Sequence, residues 1–321
     1  MFNIHVHTAA SLLAAVFLMS KAVAAPFAYI TNQLDESVSI IDTAKNGVVH
    51  TVKIPGKPAG VALSADGKYA YISTPEANGF AVIDTQSRQV LKRVALGSSG
   101  ALGIVADRIG KRLYIADWYQ HLVLVLDGTD YSVIRTIKVG ESPSGMVISP
   151  DNQWLYVANR LSNSVSQINL NTLSVWNTTK VGEHPFGLAL DSKGERLYSA
   201  NVESDDVTVL ETQHFKNIAT IKVKNLPYAG TLALHDTRLL ITNQEDDSVS
   251  VIDTASLKEI AVIEVGDKPE GIATHPDDQH VYVANWFENT VSVIDVNTLK
   301  VVATIPTGNG SRAFGNFISL K

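Results

Sequence analysis

Ten aromatic, basic and imidazole side chains stand where the sequence predicts loops, and together they could bind a ligand. One set follows a recurring Asn or Asp, and the other lies close to a recurring glycine. Aromatic rings offer flat faces for stacking, and Arg and His supply donors that orient a ligand. The alternative is that these side chains cover a central channel or only contact neighbouring loops. The favoured interpretation is a binding site formed by Trp118, Tyr119, Arg160, His184, Phe186, Tyr228, Trp286, Phe287, Arg312 and Phe314.

Two acidic runs lie at matching offsets in the sequence and could hold a cation. Each follows a recurring Asn; the runs are Glu203, Asp205 and Asp206, and Glu245, Asp246 and Asp247. A calcium ion takes about six to eight oxygen ligands, but this spacing matches no calcium-binding loop. Acidic residues are also common in solvated turns, and the histidines show no metal-ligand spacing. We therefore predict no metal site.

Motifs for catalysis are missing from the sequence. It has no Gly-x-Ser-x-Gly elbow, no Walker loop and no dinucleotide-binding glycine pattern. It also has no cysteine, which excludes disulfides, thiol nucleophiles, thiolate metal sites and covalently attached c-type haem. We therefore predict no catalytic residue and no cofactor. An enzyme would need a site assembled from distant loops, with His184 or Glu270 as the candidate acid or base.

The elements that position these residues are copies of one repeating unit. A four-residue motif, Tyr-x-x-Asn or a close variant, recurs at intervals of 42 or 43 residues. A fixed period of this length indicates a repeat architecture. The motif begins at Tyr29, Tyr71, Tyr114, Tyr156, Tyr198, Leu240 and Tyr282. A glycine recurs with the same period at Gly60, Gly103, Gly145, Gly187, Gly230, Gly271 and Gly315.

Each unit contains four short apolar segments separated by turn residues. In the last unit they cover residues 271–274, 281–284, 291–294 and 301–305. Their Val and Ile content predicts strands, because β-branched side chains suit a pleated sheet. Four strands repeated every 40 to 45 residues or so are typical of a propeller blade. The sequence therefore predicts an all-β fold, a seven-bladed β-propeller with four antiparallel strands in each blade.

The repeat also predicts how the ring closes and what its shared residues do. The first unit lacks an opening strand, whereas residues 315–320 resemble an opening strand without a continuation. We expect this C-terminal strand to complete the first blade. The Tyr column is expected to pack between blades, the Asn column to cap a turn, and the Gly column to allow close backbone approach.

The motifs Tyr156-Val157-Ala158-Asn159, Val-Ser-Val-Ile-Asp and Val-Gly-x-x-Pro-x-Gly resemble those of the YVTN-repeat family of seven-bladed propellers. This resemblance covers nearly the whole chain after residue 25. It implies a periplasmic propeller of the quinoprotein amine dehydrogenase-like superfamily. Some relatives in the YVTN family bind DNA or partner proteins. Similar propellers house lactonases, antibiotic-opening lyases and quinoprotein dehydrogenase subunits.

The N-terminal segment is predicted to be a signal peptide. Residues 12–19 are apolar, and Ala22-Val23-Ala24 matches a small-x-small cleavage site. The apolar stretch is shorter than the roughly 20 residues that span a bilayer. We therefore predict a signal peptide at residues 1–24, a propeller at residues 25–321, periplasmic or secreted localisation, and no membrane anchor after cleavage.

Three functions remain open at this stage. The favoured one is a non-catalytic binding or scaffolding propeller that recognises a small molecule, a polymer, single-stranded nucleic acid or a protein. The formal net charge of −6 argues against a surface that follows a phosphate backbone throughout, although a local basic groove remains compatible. The second is a lactonase, a lyase or a quinoprotein-type oxidoreductase component, as the resemblance implies. The third is an arrayed structural protein, which a single compact domain disfavours; we expect a monomer.

Overall fold

A computed structural model describes residues 26–97 and 100–320, and these residues form a seven-bladed β-propeller. Six sheets have four antiparallel strands, and the seventh has three strands completed by the C-terminal segment. The two 3-10 helices, Pro75–Ala77 and Arg160–Ser162, are single turns. Within the described residues, no helix has the length and apolar character needed to cross a membrane. The predicted signal peptide lies outside the described residues.

The strands follow one another in chain order within each sheet. Their bounds, sheet by sheet, are β1 (Phe27–Asn32), β2 (Ser37–Asp42) and β3 (Gly47–Lys53); β4 (Val61–Leu63), β5 (Tyr69–Thr74), β6 (Gly79–Asp84) and β7 (Gln89–Ala95); β8 (Ala101–Ala106), β9 (Arg112–Asp117), β10 (Leu122–Asp127) and β11 (Val133–Lys138); β12 (Pro143–Ile148), β13 (Trp154–Asn159), β14 (Ser164–Asn169) and β15 (Ser174–Lys180); β16 (Pro185–Leu190), β17 (Arg196–Asn201), β18 (Asp206–Glu211) and β19 (Lys216–Lys222); β20 (Pro227–Ala233), β21 (Arg238–Asn243), β22 (Ser248–Asp253) and β23 (Lys258–Glu264); β24 (Pro269–Thr274), β25 (His280–Asn285), β26 (Thr290–Asp295) and β27 (Lys300–Pro306).

The Tyr-x-x-Asn motif forms the second strand of each blade, where neighbouring blades cover both faces. In β13 every residue after the first is buried, whereas most positions of the outer strand β15 are exposed. A strand covered on both faces needs apolar residues at successive positions, and an outer strand does not. The core therefore lies between the blades and around the central channel.

The repeated tyrosines pack between blades, as predicted. The Tyr156 ring stacks on Phe215 of the next blade with centroids 5.8 Å apart, and Tyr71 makes a T-shaped contact with Tyr131 of the next blade at 6.1 Å. Burial raises the pKa of Tyr156 to about 12, partly opposed by hydrogen bonds to its hydroxyl. These aromatic contacts join neighbouring blades through side chains.

The repeated asparagines hold the turn that follows their strand, which confirms the predicted capping role. Asn159 Nδ2 donates to the hydroxyls of Ser164 at 3.2 Å and Ser166 at 2.9 Å, and its Oδ1 accepts the Gly140 N–H at 3.0 Å. A Cβ on Gly140 would come within 2.7 Å of the Asn159 side chain. Glycine is therefore required where this loop crosses the asparagine.

The chain ends close the ring as predicted. The Tyr29 N–H donates to the Phe317 carbonyl oxygen at 2.9 Å, and the Ser319 N–H donates to the Phe27 carbonyl oxygen at 2.9 Å. This closing segment makes isolated bridges rather than a continuous ladder. Gly315 adopts φ +91, a conformation incompatible with an extended strand. The closing segment pairs with β1 on both sides of this interruption, since the Arg312 N–H also donates to the Thr31 carbonyl oxygen at 2.9 Å.

The predicted glycine column is wrong in two blades. Gly187 lies two residues after the start of its strand, and a Cβ there would clash with the backbone of the next blade. The position of close approach is defined by how the innermost strand pairs with the next strand of its blade, and not by the presence of a glycine. Ala229 and Ala313 occupy it in two blades, whereas Gly230 and Gly315 come later in the chain.

Candidate ligand-binding site

Seven residues, one from each blade, encircle one end of the central channel, and we call them the inner ring. In each blade, the last residue of the Tyr-x-x-Asn motif pairs with a residue of the innermost strand, for example Asn201 with Pro185 and Asn285 with Pro269. The inner-ring residue is the next one in the chain after that pairing partner. Successive members are 42 or 43 residues apart in the chain, so they share one height on the ring. The inner ring consists of Ala59, Leu102, Ser144, Phe186, Tyr228, Glu270 and Arg312.

Three aromatic rings close this end of the channel, and we call them the plug. Phe186 and Tyr228 belong to neighbouring blades, with ring centroids 4.2 Å apart. Phe314, from the closing segment, lies 5.0 Å from Phe186 and 5.6 Å from Tyr228. The predicted site residues Phe186, Tyr228 and Phe314 therefore meet, and their packing also fits the alternative role of a lid. The expectation that all of them stand on loops is wrong for Phe186 and Tyr228, which lie within β16 and β20.

A buried ion pair lies beside the plug. Arg312 Nε donates to Glu270 Oε2 at 2.6 Å, and one Arg312 terminal nitrogen donates to Glu270 Oε1 at 3.2 Å and to the Tyr228 hydroxyl at 3.3 Å. The Gln244 amide donates to Glu270 Oε1 at 2.6 Å. Both carboxylate oxygens of Glu270 are therefore committed to donors.

Burial and pairing oppose each other in this ion pair. Burial raises the pKa of the Glu270 carboxyl, while Arg312 and Gln244 lower it by a smaller amount. For Arg312, burial lowers the pKa, but the Glu270 carboxylate and Tyr228 raise it more. Burial also raises the pKa of Tyr228 well above its usual value. The bidentate geometry favours the charged form of the pair, because each carboxylate oxygen accepts a hydrogen bond from the guanidinium group.

Two guanidinium groups lie over the aromatic residues of the site. The Arg312 guanidinium carbon is 5.4 Å from the Trp286 ring centroid and 4.8 Å from that of Phe314. The Arg160 guanidinium carbon is 5.9 Å from the Phe186 ring centroid. Such contacts are attractive because a ring face carries partial negative charge. The predicted residues Arg160, Arg312 and Trp286 are therefore brought to the plug.

A second set of seven residues surrounds the first, and we call it the outer ring. Each member follows the Asn column, and three of them contact the inner ring of the next blade: Gln244 contacts Glu270, Trp286 contacts Arg312, and Arg160 contacts Phe186. The members of each of these pairs are 26 residues apart. Sequence reasoning missed Gln244 as a site residue, although this spacing could have found it. The outer ring consists of Gln33, Pro75, Trp118, Arg160, Val202, Gln244 and Trp286.

The remaining predicted residues lie farther from the axis or partly inside the packed cluster. Trp118 is half-buried in the hydrophobic cluster that contains the plug. Tyr119 and Phe287 are 66% and 53% exposed. Leu34 and Leu161 occupy the equivalent position in other blades and are also exposed. They are not among the predicted site residues, because they are neither aromatic nor basic. These four side chains form an apolar outer margin.

His184 belongs to a connecting loop rather than to the plug. Its backbone N–H donates to Asn163 Oδ1 at 3.0 Å. Its Nδ1 lies 3.6 Å from the Glu203 carboxylate and, within the described residues, has no hydrogen-bond partner. In the part of the chain that the structure describes, His184 makes no contact with Glu270 or Arg312. The structure therefore gives no support for His184 and Glu270 acting together as an acid and a base.

The two acidic runs mainly tie neighbouring loops together. Asp205 Oδ1 accepts the Leu226 N–H, and Asp247 Oδ1 accepts the Lys268 N–H, each at 3.0 Å. Glu245 pairs with the Lys268 ammonium group at 2.6 Å. Over residues 26–97 and 100–320, no group of three or more His, Asp or Glu side chains is arranged to hold a metal ion. These carboxylates are best explained as acceptors for loop backbone.

A cavity of about 830 Å³ occupies the channel below the plug. Innermost strands from all around the ring line it, and Phe186 and Phe314 form its upper end. Arg108 and Asp236, on turns at the opposite face, also line it. Most of the predicted site residues are absent from its lining, although the inner-ring residues Leu102, Ser144 and Phe186 border it.

Two family models match parts of the chain. The model "Lactonase, 7-bladed beta-propeller" matches residues 127–227, and the model "Cytochrome D1 heme domain" matches residues 200–313. The uncharacterized protein YncE of Salmonella typhi is 28% identical over 130 residues. That match covers 39% of this chain and 36% of YncE. The chain thus spans about a third of the length of this curated relative.

Solved structures with the same fold cover most of the chain. A chain of Kuenenia stuttgartiensis hydrazine synthase has a TM-score of 0.72 and 20% identity, over 88% of this chain and 99% of that chain. The dihydro-heme d1 dehydrogenase NirN, in complex with DHE, has a TM-score of 0.69 and 13% identity, over 90% of this chain and 74% of that chain. At these identities the likeness shows the fold alone. The protein is a seven-bladed β-propeller similar in parts of its sequence to lactonase and cytochrome d1 propellers.

Proposed function

We propose that this protein is a non-catalytic binding propeller of the YVTN-repeat type that recognises a ligand at the inner and outer rings. The observation that carries the proposal is the meeting of Arg160, Arg312 and Trp286 around one aromatic plug. Binding sites of this kind combine flat apolar faces with a few oriented donors. Loops held by rigid strands are also where such scaffolds carry function.

Recognition fits the geometry better than acid-base catalysis. Glu270, one candidate base, holds Arg312 and Gln244 through both oxygens. A general base needs a free oxygen within reach of the proton that it removes. His184, the other candidate, lies on a loop beside Glu203. The arrangement therefore favours a site that positions a molecule.

Binding of small aromatic probes tests this proposal. The double variant Trp118→Ala, Trp286→Ala is compared with Trp176→Ala, whose ring lies on the outer strand β15 and is 72% exposed. We expect calorimetry to show that each probe, 2-naphthoate or 2-naphthylmethanol, binds the Trp176→Ala variant with the same affinity as it binds the wild type. Affinity should fall about tenfold or more in the double variant, since each stacking contact contributes about 1 to 3 kcal/mol. Unchanged affinity in the double variant would refute a site at the rings.

The proposed setting is the periplasm or the extracellular space. Its support is the signal-like sequence at residues 1–24, with Ala22-Val23-Ala24 as the cleavage site. We further propose that the mature protein acts as a monomer without a membrane anchor. Mass spectrometry of protein recovered from a periplasmic extract should give a mature N-terminus after residue 24. Recovery of the full-length chain from the cytoplasm would contradict this.

A second candidate is an enzyme or enzyme component, and the two family matches favour it specifically. The cytochrome D1 match includes Glu270, Trp286 and Arg312, and the lactonase match includes His184. The Nδ1 of His184 makes no hydrogen bond within the described residues, although it lies 3.6 Å from the Glu203 carboxylate, and it is a nitrogen that could ligate iron. The plug occupies the channel axis, however, so a flat macrocycle bound there would have to displace it.

Two measurements separate this candidate from the first. Addition of haemin to the purified protein should shift the haem absorption band, and His184→Ala should abolish the shift, if the site holds a macrocycle. Hydrolysis of simple lactones that depends on His184 would indicate a lactonase. The binding proposal predicts neither result.

A further inference from the structure

We infer that the ligand of this site is a flat aromatic molecule that carries a carboxylate, held by Arg160 and Arg312. This inference rests on the proposed function, because it assigns a chemical class to the ligand of the same site. Both guanidinium groups flank the ring pair of Phe186 and Phe314, whose centroids are 5.0 Å apart. One molecule lying against these rings can therefore reach either arginine.

The centre of the site offers donors and lacks a free acidic acceptor. Glu270 Oε1 accepts hydrogen bonds from Gln244 and Arg312, and Glu270 Oε2 accepts one from Arg312. Within the described residues, Arg312 uses Nε and one terminal nitrogen. Its other terminal nitrogen remains for a ligand, and 16% of the side chain is exposed. A ligand that supplies acceptors complements this arrangement.

Arg160 adds a positive charge that no carboxylate neutralises. Within the described part of the chain it forms no ion pair, and its half-buried side chain lies over Phe186. Together with Arg312 it gives the centre two cations against the single carboxylate of Glu270. The whole chain has a net charge of −6, so this positive centre opposes the overall charge. Two other carboxylates that follow the outer ring in sequence are engaged elsewhere, because Glu203 lies beside His184 and Glu245 pairs with Lys268.

The aromatic surroundings define the rest of the ligand. Trp286 stacks on Phe287, with centroids 4.5 Å apart, and Phe287 is largely exposed. A flat ring can stack on such surfaces, whereas an aliphatic chain gains only area. An arginine matches a carboxylate because its planar fork donates two parallel hydrogen bonds. An aromatic carboxylate satisfies both the ring faces and the guanidinium groups.

Three probes that share one ring system test the charge preference. We expect 2-naphthoate to bind about tenfold more tightly than 2-naphthylmethanol in calorimetry at low salt, and 2-naphthylmethylammonium to bind more weakly than both. The preference of naphthoate over the alcohol should shrink to about threefold or less in Arg160→Gln and persist in Arg160→Lys. Arg108→Gln, which removes a guanidinium group at the opposite end of the channel, should leave the preference intact.

The outcomes distinguish this inference from the proposed function. If all three probes bind equally and still require Trp118 and Trp286, the charge inference fails and the proposed function stands. Absence of binding by every probe contradicts both. A loss of preference in Arg108→Gln but not in Arg160→Gln would place the carboxylate in the cavity below the plug and overturn the inference.

Discussion

Arg312 and Glu270 stand 42 residues apart in the chain and meet across the boundary between two blades, with Arg312 Nε 2.6 Å from Glu270 Oε2. The repeat period places them at the same height on neighbouring blades. Only 2% of the Glu270 side chain is exposed, so its carboxylate is removed from water, whereas 16% of the Arg312 side chain is exposed. A buried pair of this kind is costly to break from one side, because the remaining charge keeps its desolvation penalty.

Removing one partner of this pair should destabilise the protein more than removing both. Arg312→Met leaves the Glu270 carboxylate buried without its cation, and we expect it to lower the free energy of unfolding by about 3 kcal/mol. The double variant Glu270→Gln, Arg312→Met removes both charges and should recover most of that loss. Urea unfolding followed by circular dichroism measures both values. A double variant less stable than Arg312→Met would show that the pair itself stabilises the fold.

The plug should contribute to stability through packing. Phe186 is 5% exposed and touches both other rings. Phe186→Ala should lower the free energy of unfolding by about 3 kcal/mol, through lost burial and the space left behind. Phe287→Ala is the control, because this side chain is 53% exposed and should change stability by about 0.5 kcal/mol or less. Equal losses in thermal unfolding of the two variants would contradict a packed plug.

The capping asparagines should be individually important. Asn159→Ala removes acceptors and donors for Gly140, Ser164 and Ser166. Since a buried group left without a partner costs about 1 to 3 kcal/mol, we expect a loss near 2 kcal/mol. Asn177→Ala, on the exposed face of β15, should cost far less. A neutral Asn159→Ala in urea unfolding would show that water replaces these bonds.

Removal of residues 315–321 should open the ring. Phe317 and Ile318 are buried, and the Phe317 carbonyl oxygen accepts a hydrogen bond from Tyr29. Without them the edge of β1 and the core around it become exposed, which favours aggregation. We expect loss of the cooperative thermal transition and oligomers in light scattering. Removal of residues 320 and 321 alone is the control, since Leu320 is 74% exposed. A stable monomeric 1–314 chain would contradict closure by this segment.

Acid should weaken the turn that precedes β25. Burial raises the pKa of Asp277, but hydrogen bonds from the Gln279 N–H and from the side chain and N–H of His280 outweigh burial and lower this pKa to about 2. Its stabilising contribution is therefore fully present above the unfolded pKa of about 4 and is lost as the pH falls towards 2. The side chain is partly exposed, so we expect about 1 kcal/mol or less. Asp277→Asn should reduce the loss of stability between pH 4 and 2; an unchanged pH profile would exclude this contribution.

The fold could be predicted from the sequence because one local pattern is repeated at a constant interval. Tyr156 and Asn159 have the same surroundings as their counterparts in other blades, so each copy supports the interpretation of the others. The closing segment was harder to interpret because it exists only once. The sequence pattern places Gly315 in the repeated glycine column, yet the register puts Ala313 there. Strand pairing, and not the presence of a glycine, therefore decides which residue occupies the repeated position.

The site could be predicted only as a set of loop residues. The repeat period predicts which residues of different blades lie at the same level along the channel axis, but it does not predict the direction in which their side chains point. Phe314 reaches Phe186 from a segment outside the repeat, so no period predicts that contact. The pairing of Gln244 with Glu270 does follow a 26-residue spacing that recurs in other blades. That spacing is visible in the sequence once the two rings are known.

The four tryptophans allow the most direct test of binding at the rings. Protein labelled with 5-fluorotryptophan gives fluorine resonances for Trp118, Trp154, Trp176 and Trp286, which single Trp→Phe variants assign. Trp118 and Trp286 belong to the outer ring, whereas Trp154 and Trp176 pack on each other in one blade. Titration with 2-naphthoate should shift the Trp118 and Trp286 resonances and leave the other two in place. Shifts confined to Trp154 and Trp176, or saturable binding that moves neither outer-ring resonance, would contradict a ligand site at this end of the channel.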